Sequence, residues 1–423
     1  MTQATVPVYY HQGELQMESC QIRALAEKIT TPFYCYSTTR LLNSVQRCKD
    51  AFEPHGIRIH YAMKANSNLH ILRLLAGQGL GVDLVSGGEM QRALAAGFDA
   101  QHMILSGVGK SPAELSAAME IGVGQFNVES AEELALLAEL AEQQNAQISV
   151  ALRVNPNISV NTHKNITTGQ KGNKFGIDME IVTDLAKQYA KSRYLIIEGL
   201  AMHIGSQLCD AKPYRDAIGK MMALVEQLAQ QGIEITRLDL GGGFGIDYGQ
   251  GSTLEFETIA EVIVEETQLF NGTVVVEPGR SLVADSGVLV SRINYVKQAD
   301  PKPFVILDAG MNDLMRPALY QAVHPIVTVA EPKAGSTQKY DIVGPICEST
   351  DTFAHGYPLN DELQAGDLVV FLYTGAYCSV MNSTYNSRTI VPEIMVNGGE
   401  AKIIRKAISQ KSLMAFEQNV QVL

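Results

Sequence analysis

The sequence predicts an α/β protein: a (β/α)8 barrel followed by a C-terminal β-rich domain, a sandwich or barrel-like sheet, to which the N-terminal segment is joined. Three observations predict it. From about position 58 to 277, eight short β-rich runs alternate with helical stretches. After about Ser286 the texture changes to β-type runs separated by Gly, Pro and Asn turns. Ahead of the first helical stretch, Pro32 to Tyr36 forms a short aromatic β run suited to pairing with that later domain. The expected organisation is therefore residues 1–37 as an N-terminal part of the β domain, 38–285 as the barrel and 286–423 as the β domain.

The barrel strands are expected near Arg58 to Met63, Gly81 to Leu84, His102 to Leu105, Gln125 to Val128, Gln147 to Val154, Ile197 to Met202, Thr236 to Leu240 and Thr273 to Val276. Helices between them carry start signals. Ser111-Pro112-Ala113-Glu114 and Ser130-Ala131-Glu132-Glu133 both read as capping boxes, the first with Pro at the first helical position. Leu134, Leu137 and Leu140 with Ala141 then form an apolar stripe at helical spacing. In the later domain, β runs are expected at Val288 to Val296, Phe304 to Leu307, Ile326 to Val329, Tyr340 to Val343, Leu368 to Leu372 and Thr389 to Val396.

Composition narrows the function. Among 423 residues, 46% are apolar and 18% charged, which supports packed cores rather than disorder. The net charge of −12 repels polyphosphate and anionic lipid, so neither a general nucleic-acid surface nor a membrane surface is expected. No apolar run nears the roughly 20 residues that cross a bilayer. The first 20 residues hold Glu14 and Glu18 but no Lys or Arg, so no targeting leader is read and residence in the cytosol is expected. Six scattered Cys without a C-x-x-C pair fit reduced thiols, and nine His without H-E-x-x-H give no reason to expect a metal.

In such barrels the working residues sit where strands end, because the loops there converge on one mouth. Strand one ends in Tyr61-Ala62-Met63-Lys64-Ala65-Asn66, a single Lys among residues suited to burial. Burial would favour its neutral amine, a nucleophile or Schiff-base former; the plain alternative is a Lys reaching out to solvent. Strand seven ends in Gly241-Gly242-Gly243-Phe244-Gly245, whose backbone N–H groups could close around a phosphate or whose glycines could only permit a tight turn. Gly107-Val108-Gly109-Lys110-Ser111 resembles the end of a Walker A loop, but Ile104 stands where the first Gly is required, so nucleotide triphosphate binding is discarded.

Strand eight ends in Glu277-Pro278-Gly279-Arg280 and strand six leads into His203-Ile204-Gly205-Ser206. A carboxylate at the mouth can keep a heteroaromatic nitrogen protonated, His203 can stack on a flat ring, and Ser206 can bond a phosphate. A Lys, a Gly cradle, a Glu and a His around one mouth match what pyridoxal phosphate requires: an imine anchor, an anion site, a pyridinium partner and a ring platform.

With these stretches, and with Asp308 to Pro317, Gly344-Pro345-Ile346-Cys347-Glu348-Ser349 and Gly375-Ala376-Tyr377, the sequence resembles the fold-type III pyridoxal phosphate decarboxylases from about residue 33 to 397, and within them the branch acting on diaminopimelate. The resemblance implies that Lys64 forms the cofactor's imine, that Glu277 pairs with the ring nitrogen and that His203 stacks on the ring. It further implies cofactor contacts from Ser206, Gly242, Gly243, Pro278, Gly279, Arg280 and Tyr377. Cys347 would be the proton donor, in a homodimer whose active sites are shared between subunits.

Substrate choice follows from charge as well. Ornithine or arginine would need acceptors for a cationic tail, whereas a second α-amino acid end offers both a carboxylate and an ammonium. Arg280, Arg316 and Tyr320 suit the carboxylate and Glu348 suits the ammonium, while the resemblance implies that Tyr377 approaches both cofactor and substrate. Arg316 and Tyr320 are four apart, so a short helix would show both on one face; the alternative for Arg316 is ion pairing with Asp313. The implied reaction converts meso-2,6-diaminopimelate to L-lysine and carbon dioxide, the last step in making lysine. The competing expectations are a decarboxylase of carboxynorspermidine or a basic amino acid, and a cofactor-less relative that regulates a true enzyme. Cys347 carries its own plain alternative, a buried small apolar side chain, against which stand its Gly344-Pro345 turn and the adjoining charge of Glu348.

Overall fold

The computed structural model describes residues 7–158, 174–251, 253–333, 335 and 337–418. The chain divides into two units, one made of 45–247 with 251–282, the other of 1–44, 248–250 and 283–423.

The first unit is a closed parallel barrel. Its strands are Arg58–Ala62, Gly81–Leu84, Met103–Leu105, Gln125–Val128, Ile148–Asn155, Leu195–Ala201, Arg237–Asp239 and Thr273–Val276. Each pairs with the next, and Val275 and Val276 pair with Arg58 and Ile59, so these eight strands close on themselves. All eight expected strands are present. A further two-residue strand, Ile177–Asp178, lies beside Val154 and Asn155; two residues are too few to show periodicity in the sequence.

Local chemistry sets the helices between them. Ser111 caps Pro112–Ile121 as a full capping box, and Gly122 ends that helix in the left-handed region at φ 74°. Ser130 caps Ala131–Gln143 by accepting from the Glu133 N–H, but the reciprocal half of the expected box is absent. The Glu133 carboxylate instead accepts from the Glu129 N–H and pairs with Lys110 Nζ at 2.8 Å, so a buried cation outcompetes the local cap. Leu134, Leu137 and Ala141 bury the predicted stripe.

Not all of the barrel's interior is aliphatic. Arg237 donates to Gln125 Oε1 (2.9 Å), Gln125 to Asn127 Oδ1 (2.6 Å), and Asn127 to Asp239 Oδ2 (2.9 Å). This chain of bonds links two strands across the barrel, Gln125–Val128 and Arg237–Asp239, and runs from the starts of both to the end of the second. Each polar group buried here has a partner, which is the condition for burying it without a large penalty.

In the second unit, nine strands among the described residues form one hydrogen-bonded set organised by the long strand Gly287–Lys297. That strand pairs antiparallel with Phe304–Leu307, with Leu368–Phe371 and with Phe33–Ser37. Phe33–Ser37 also pairs in parallel with Glu393–Asn397, so the early aromatic run joins the late sheet as expected. Its residues are buried throughout, which explains why it reads as continuous rather than alternating. Ile326–Thr328 pairs with Leu368–Phe371, and Thr337–Val343 pairs with Phe304–Leu307. Two edge strands escaped the sequence reading, Thr352–Asn360 and Glu400–Arg405. The first contains Gly356 and Pro358 and the second is charged and mostly exposed, which is how exposed edges are protected and also why they lack a β signal. A separate three-stranded sheet, Val8–His11, Glu14–Met17 and Cys20–Gln21, completes the described N-terminal part.

Candidate active site

Lys64 sits in a single helical turn, Met63–Ala65, directly after the first barrel strand. Its Nζ lies 2.8 Å from Asp83 Oδ2, and its side chain is 37% exposed while that of Asp83 is fully buried. The expected burial of the amine is therefore corrected: the lysine reaches the mouth part-exposed and is held there as an ion pair. Asp83 is the penultimate residue of the second strand, with Oδ1 buried and without a hydrogen-bond partner. Lys110, the other lysine near a strand end, is spent on structure. Its ammonium donates to the Gly107 and Asn127 carbonyls as well as pairing with Glu133.

The glycines after strand seven serve close approach of backbones. A Cβ on Gly241 would overlap the Met202 carbonyl, one on Gly242 the Glu277 carbonyl and one on Gly243 the Gly205 carbonyl. Gly241 and Gly243 also have φ of 64° and 89°. Three strand ends thus meet at one cluster of peptide groups, next to Ser206 and Arg280. Arg280, 7% exposed, opens the short helix Arg280–Val283 and donates to Ser206 Oγ at 3.1 Å. Gly279 packs against Ala62, and the Pro278 carbonyl accepts from the Ala62 N–H at 3.1 Å, which ties strand eight to strand one. The donor set, a guanidinium, a hydroxyl and glycine peptides, suits a phosphate dianion.

Glu277 is 7% exposed and its Oε1 is buried without a partner. Burial, then the negative charges of Asp239 and Asp83, push its carboxyl well above the ordinary range, and it shares a hydrogen bond with Asp239. Asp239 is itself fully buried, with Oδ1 accepting the Gly241 N–H at 3.0 Å. Two carboxyls in contact inside a protein hold a proton between them. An orphaned buried oxygen on such a pair is complementary to a protonatable ring nitrogen.

His203 accepts from the Gly242 N–H on Nδ1 at 3.4 Å. Desolvation, then the charges of Arg153 and Lys64, hold its imidazole well below the usual value, so the ring is neutral at pH 7. A neutral flat ring is a suitable face for a heteroaromatic cofactor. Arg153 is in turn fixed by the Glu129 carboxylate and lies over the Phe175 ring at 5.2 Å.

The remaining expected site residues belong to the second unit. Arg316 and Tyr320 begin and end the five-residue helix Arg316–Tyr320, as their spacing predicts. Arg316 is 6% exposed, and among the described residues no carboxylate forms an ion pair with it; Asp313, the partner weighed from sequence, bonds the Gly310 N–H instead. Tyr377 is in the left-handed region at φ 56°. Cys347 is exposed in the turn between Thr337–Val343 and Thr352–Asn360, and its N–H donates to Asn386 Oδ1 at 3.0 Å. The structure removes its plain alternative as a core thiol, while Cys35, Cys48 and Cys378 take that role. Glu348 is exposed too, so the cost of burying its charge, weighed from the sequence, does not arise. Its carboxylate is lowered by hydrogen bonds from Thr350 and Tyr385.

Asp83, Asp239 and His324 were not singled out from sequence. The first two had a signal: a carboxylate inside a run read as a buried parallel strand is costly unless it has a task or a partner. His324 had none.

Residues 39–284 match the model of the pyridoxal-dependent decarboxylase pyridoxal-binding domain, which spans the barrel and all the mouth residues above. The chain belongs to the pyridoxal-dependent decarboxylases. Within them it is similar over nearly its whole length to diaminopimelate decarboxylases. The enzyme of that name from Zymomonas mobilis is 40% identical over 423 residues, covering 99% of this chain and 100% of its own. The structure of diaminopimelate decarboxylase from M. jannaschii in co-complex with L-lysine superposes with a TM-score of 0.93 at 33% identity, covering 99% of this chain and 98% of that one. The Helicobacter pylori enzyme complexed with L-lysine gives 0.90 at 38% identity, over 94% and 99%. Among the described residues, no helix is long and apolar enough to cross a membrane.

Proposed function

We propose that this chain removes carbon dioxide from the D centre of meso-2,6-diaminopimelate, leaving L-lysine, with pyridoxal 5′-phosphate held at the barrel mouth. The relatives' names support the reaction, and the observation that carries the substrate choice is Arg316, a buried guanidinium with no carboxylate counter-ion among the described residues. A buried cation of that kind invites an external carboxylate, which the second amino acid end of diaminopimelate provides and a simple diamine tail does not.

Bound there, the cofactor supplies the electron sink that loss of carbon dioxide needs. Everything else is the work of the chain. Lys64 is the amine for the cofactor's aldehyde, and Asp83 holds that amine at the strand end. Ser206, Arg280 and the peptides of Gly242, Gly243 and Gly279 would grip the phosphate, with Pro278 fixing the strand end that carries them. His203 would cover one face of the ring, and Glu277 Oε1 would keep a proton at the ring nitrogen. Tyr377 would contact cofactor and substrate, and Arg280, Arg316 and Tyr320 the distal carboxylate.

Cys347 and Glu348 are assigned to the neighbouring site of a homodimer, where the thiol would deliver a proton to the carbon that lost carbon dioxide and the carboxylate would meet the substrate ammonium. Their exposure in a single chain is what such a role requires. The cofactor-less regulatory alternative is disfavoured because Lys64, Glu277 and Cys347 are all present. The test is Arg316→Ala. A lost charge-assisted contact to a desolvated carboxylate should reduce kcat/KM for diaminopimelate by about 2–4 kcal/mol, mainly through KM, with the cofactor's absorbance unaltered. Unchanged efficiency would remove Arg316 from the substrate site.

A further inference from the structure

His324 lies 4% exposed in the second unit, eight residues after Arg316, and its two ring nitrogens meet groups of opposite demand. Nδ1 is 2.9 Å from the Leu372 carbonyl oxygen, which only accepts, so Nδ1 carries a proton. Nε2 is 2.7 Å from Arg316 Nη1, which only donates, so Nε2 presents its lone pair. One form alone satisfies both: the neutral ring with its proton on Nδ1. The Arg316 guanidinium also lies over the Tyr248 ring at 4.8 Å, and Tyr248 meets the His324 ring edge-on at 5.3 Å.

The cation is thus held by a neutral acceptor and an aromatic face, partners that orient it without cancelling its charge. A carboxylate in place of His324 would also accept that N–H, but it would neutralise the guanidinium and repel an incoming carboxylate. The choice of an uncharged acceptor at a buried cation is the feature that needs a reason.

We propose that His324 is a positioning residue for substrate selection: as a neutral, tautomer-locked acceptor it fixes Arg316 against Tyr248 and leaves its positive charge for the substrate's distal carboxylate. This rests on the reading of Arg316 as the carboxylate ligand.

The test compares two isosteric substitutions in the holoenzyme, His324→Gln, which keeps a neutral acceptor, and His324→Glu, which adds a charge. Inhibition constants are measured for L-lysine, which retains the carboxylate, and for cadaverine, which is the same chain without it. His324→Glu is expected to raise the L-lysine constant and the KM for diaminopimelate roughly ten- to hundredfold, leaving the cadaverine constant within about twofold. His324→Gln should bring the L-lysine constant back to within about threefold of the parent. If His324→Glu does not fold, His324→Phe, which keeps a ring and removes the acceptor, should shift the same ratio. Equal shifts for lysine and cadaverine, or a Gln variant as impaired as the Glu variant, would overturn the proposal. Arg316→Gln separates it from the reading beneath it. Should that variant collapse the lysine-to-cadaverine preference while His324→Glu leaves it intact, His324 alone loses its role; should Arg316→Gln also leave it intact, both are wrong.

Discussion

Glu277 and Asp239 share a hydrogen bond between their carboxyl groups at the ends of adjacent barrel strands. Both are raised above their ordinary values, chiefly by burial, and the Glu277 Oε1 that faces no partner is the atom assigned to the ring nitrogen.

From that pair follows an opposition between stability and activity. A carboxyl whose folded value is raised contributes stability that is complete below its unfolded value, 4.5 for Glu277, and is lost as pH rises through the folded value. Cofactor-free protein should therefore lose stability above pH 4.5, and Glu277→Gln, which cannot ionise, should flatten that loss and melt higher than the parent at pH 8. With cofactor restored, the same variant should release carbon dioxide about 10²–10³-fold more slowly. Melting curves of the two cofactor-free proteins across pH give the answer, and a parallel pair of curves would contradict the buried-proton account.

Lys64→Ala should abolish both turnover and the borohydride-reducible link to pyridoxal phosphate. Lys110 is too deeply committed to Glu133 and two carbonyls to substitute, and Lys174 sits over the Phe175 ring. Peptide mapping after reduction of the parent protein should place the cofactor on Lys64; a label on Lys110 or Lys174 would refute the anchor.

The eight barrel strands and the early strand of the late sheet were legible in the sequence because burial leaves continuous apolar runs and the helices between carry caps. The lysine, glycine and glutamate clusters were legible because they fall where those runs end. What was not legible depends on contacts distant in sequence. Lys64 and Asp83 are 19 residues apart and meet only because their strands are neighbours in a closed barrel. The spacing of Ser130 and Glu133 predicts a local capping box, but a lysine from the preceding strand–helix unit draws the Glu133 carboxylate away. His324 owes its tautomer to a carbonyl 48 residues later, which no pattern within its own segment reveals.

Gly242→Ala tests the cradle. Its Cβ would overlap the Glu277 carbonyl, so the strand ends must spread, at a cost of about 1–3 kcal/mol in stability, and affinity for pyridoxal phosphate should fall together with it. Equilibrium dialysis with the cofactor and a denaturant titration would read the two effects, and normal cofactor affinity would show that the glycines serve the turn alone.

Cys347→Ala should still bind cofactor and substrate but protonate slowly or at the wrong carbon, converting part of the cofactor to its pyridoxamine form. Mixing inactive Lys64→Ala with inactive Cys347→Ala subunits should restore about a quarter of parental activity, since random pairing makes half the dimers mixed and each mixed dimer holds one intact site. Absence of recovery after verified subunit exchange would rule out a shared site.

The most direct measurement of the central claim is carbon dioxide released when the purified protein with pyridoxal phosphate is incubated separately with meso-diaminopimelate, ornithine, arginine and carboxynorspermidine. Release from meso-diaminopimelate, with L-lysine appearing in equal amount and the other three giving little, is the predicted result. Preferential release from ornithine, arginine or carboxynorspermidine, or none from any of the four, would contradict it.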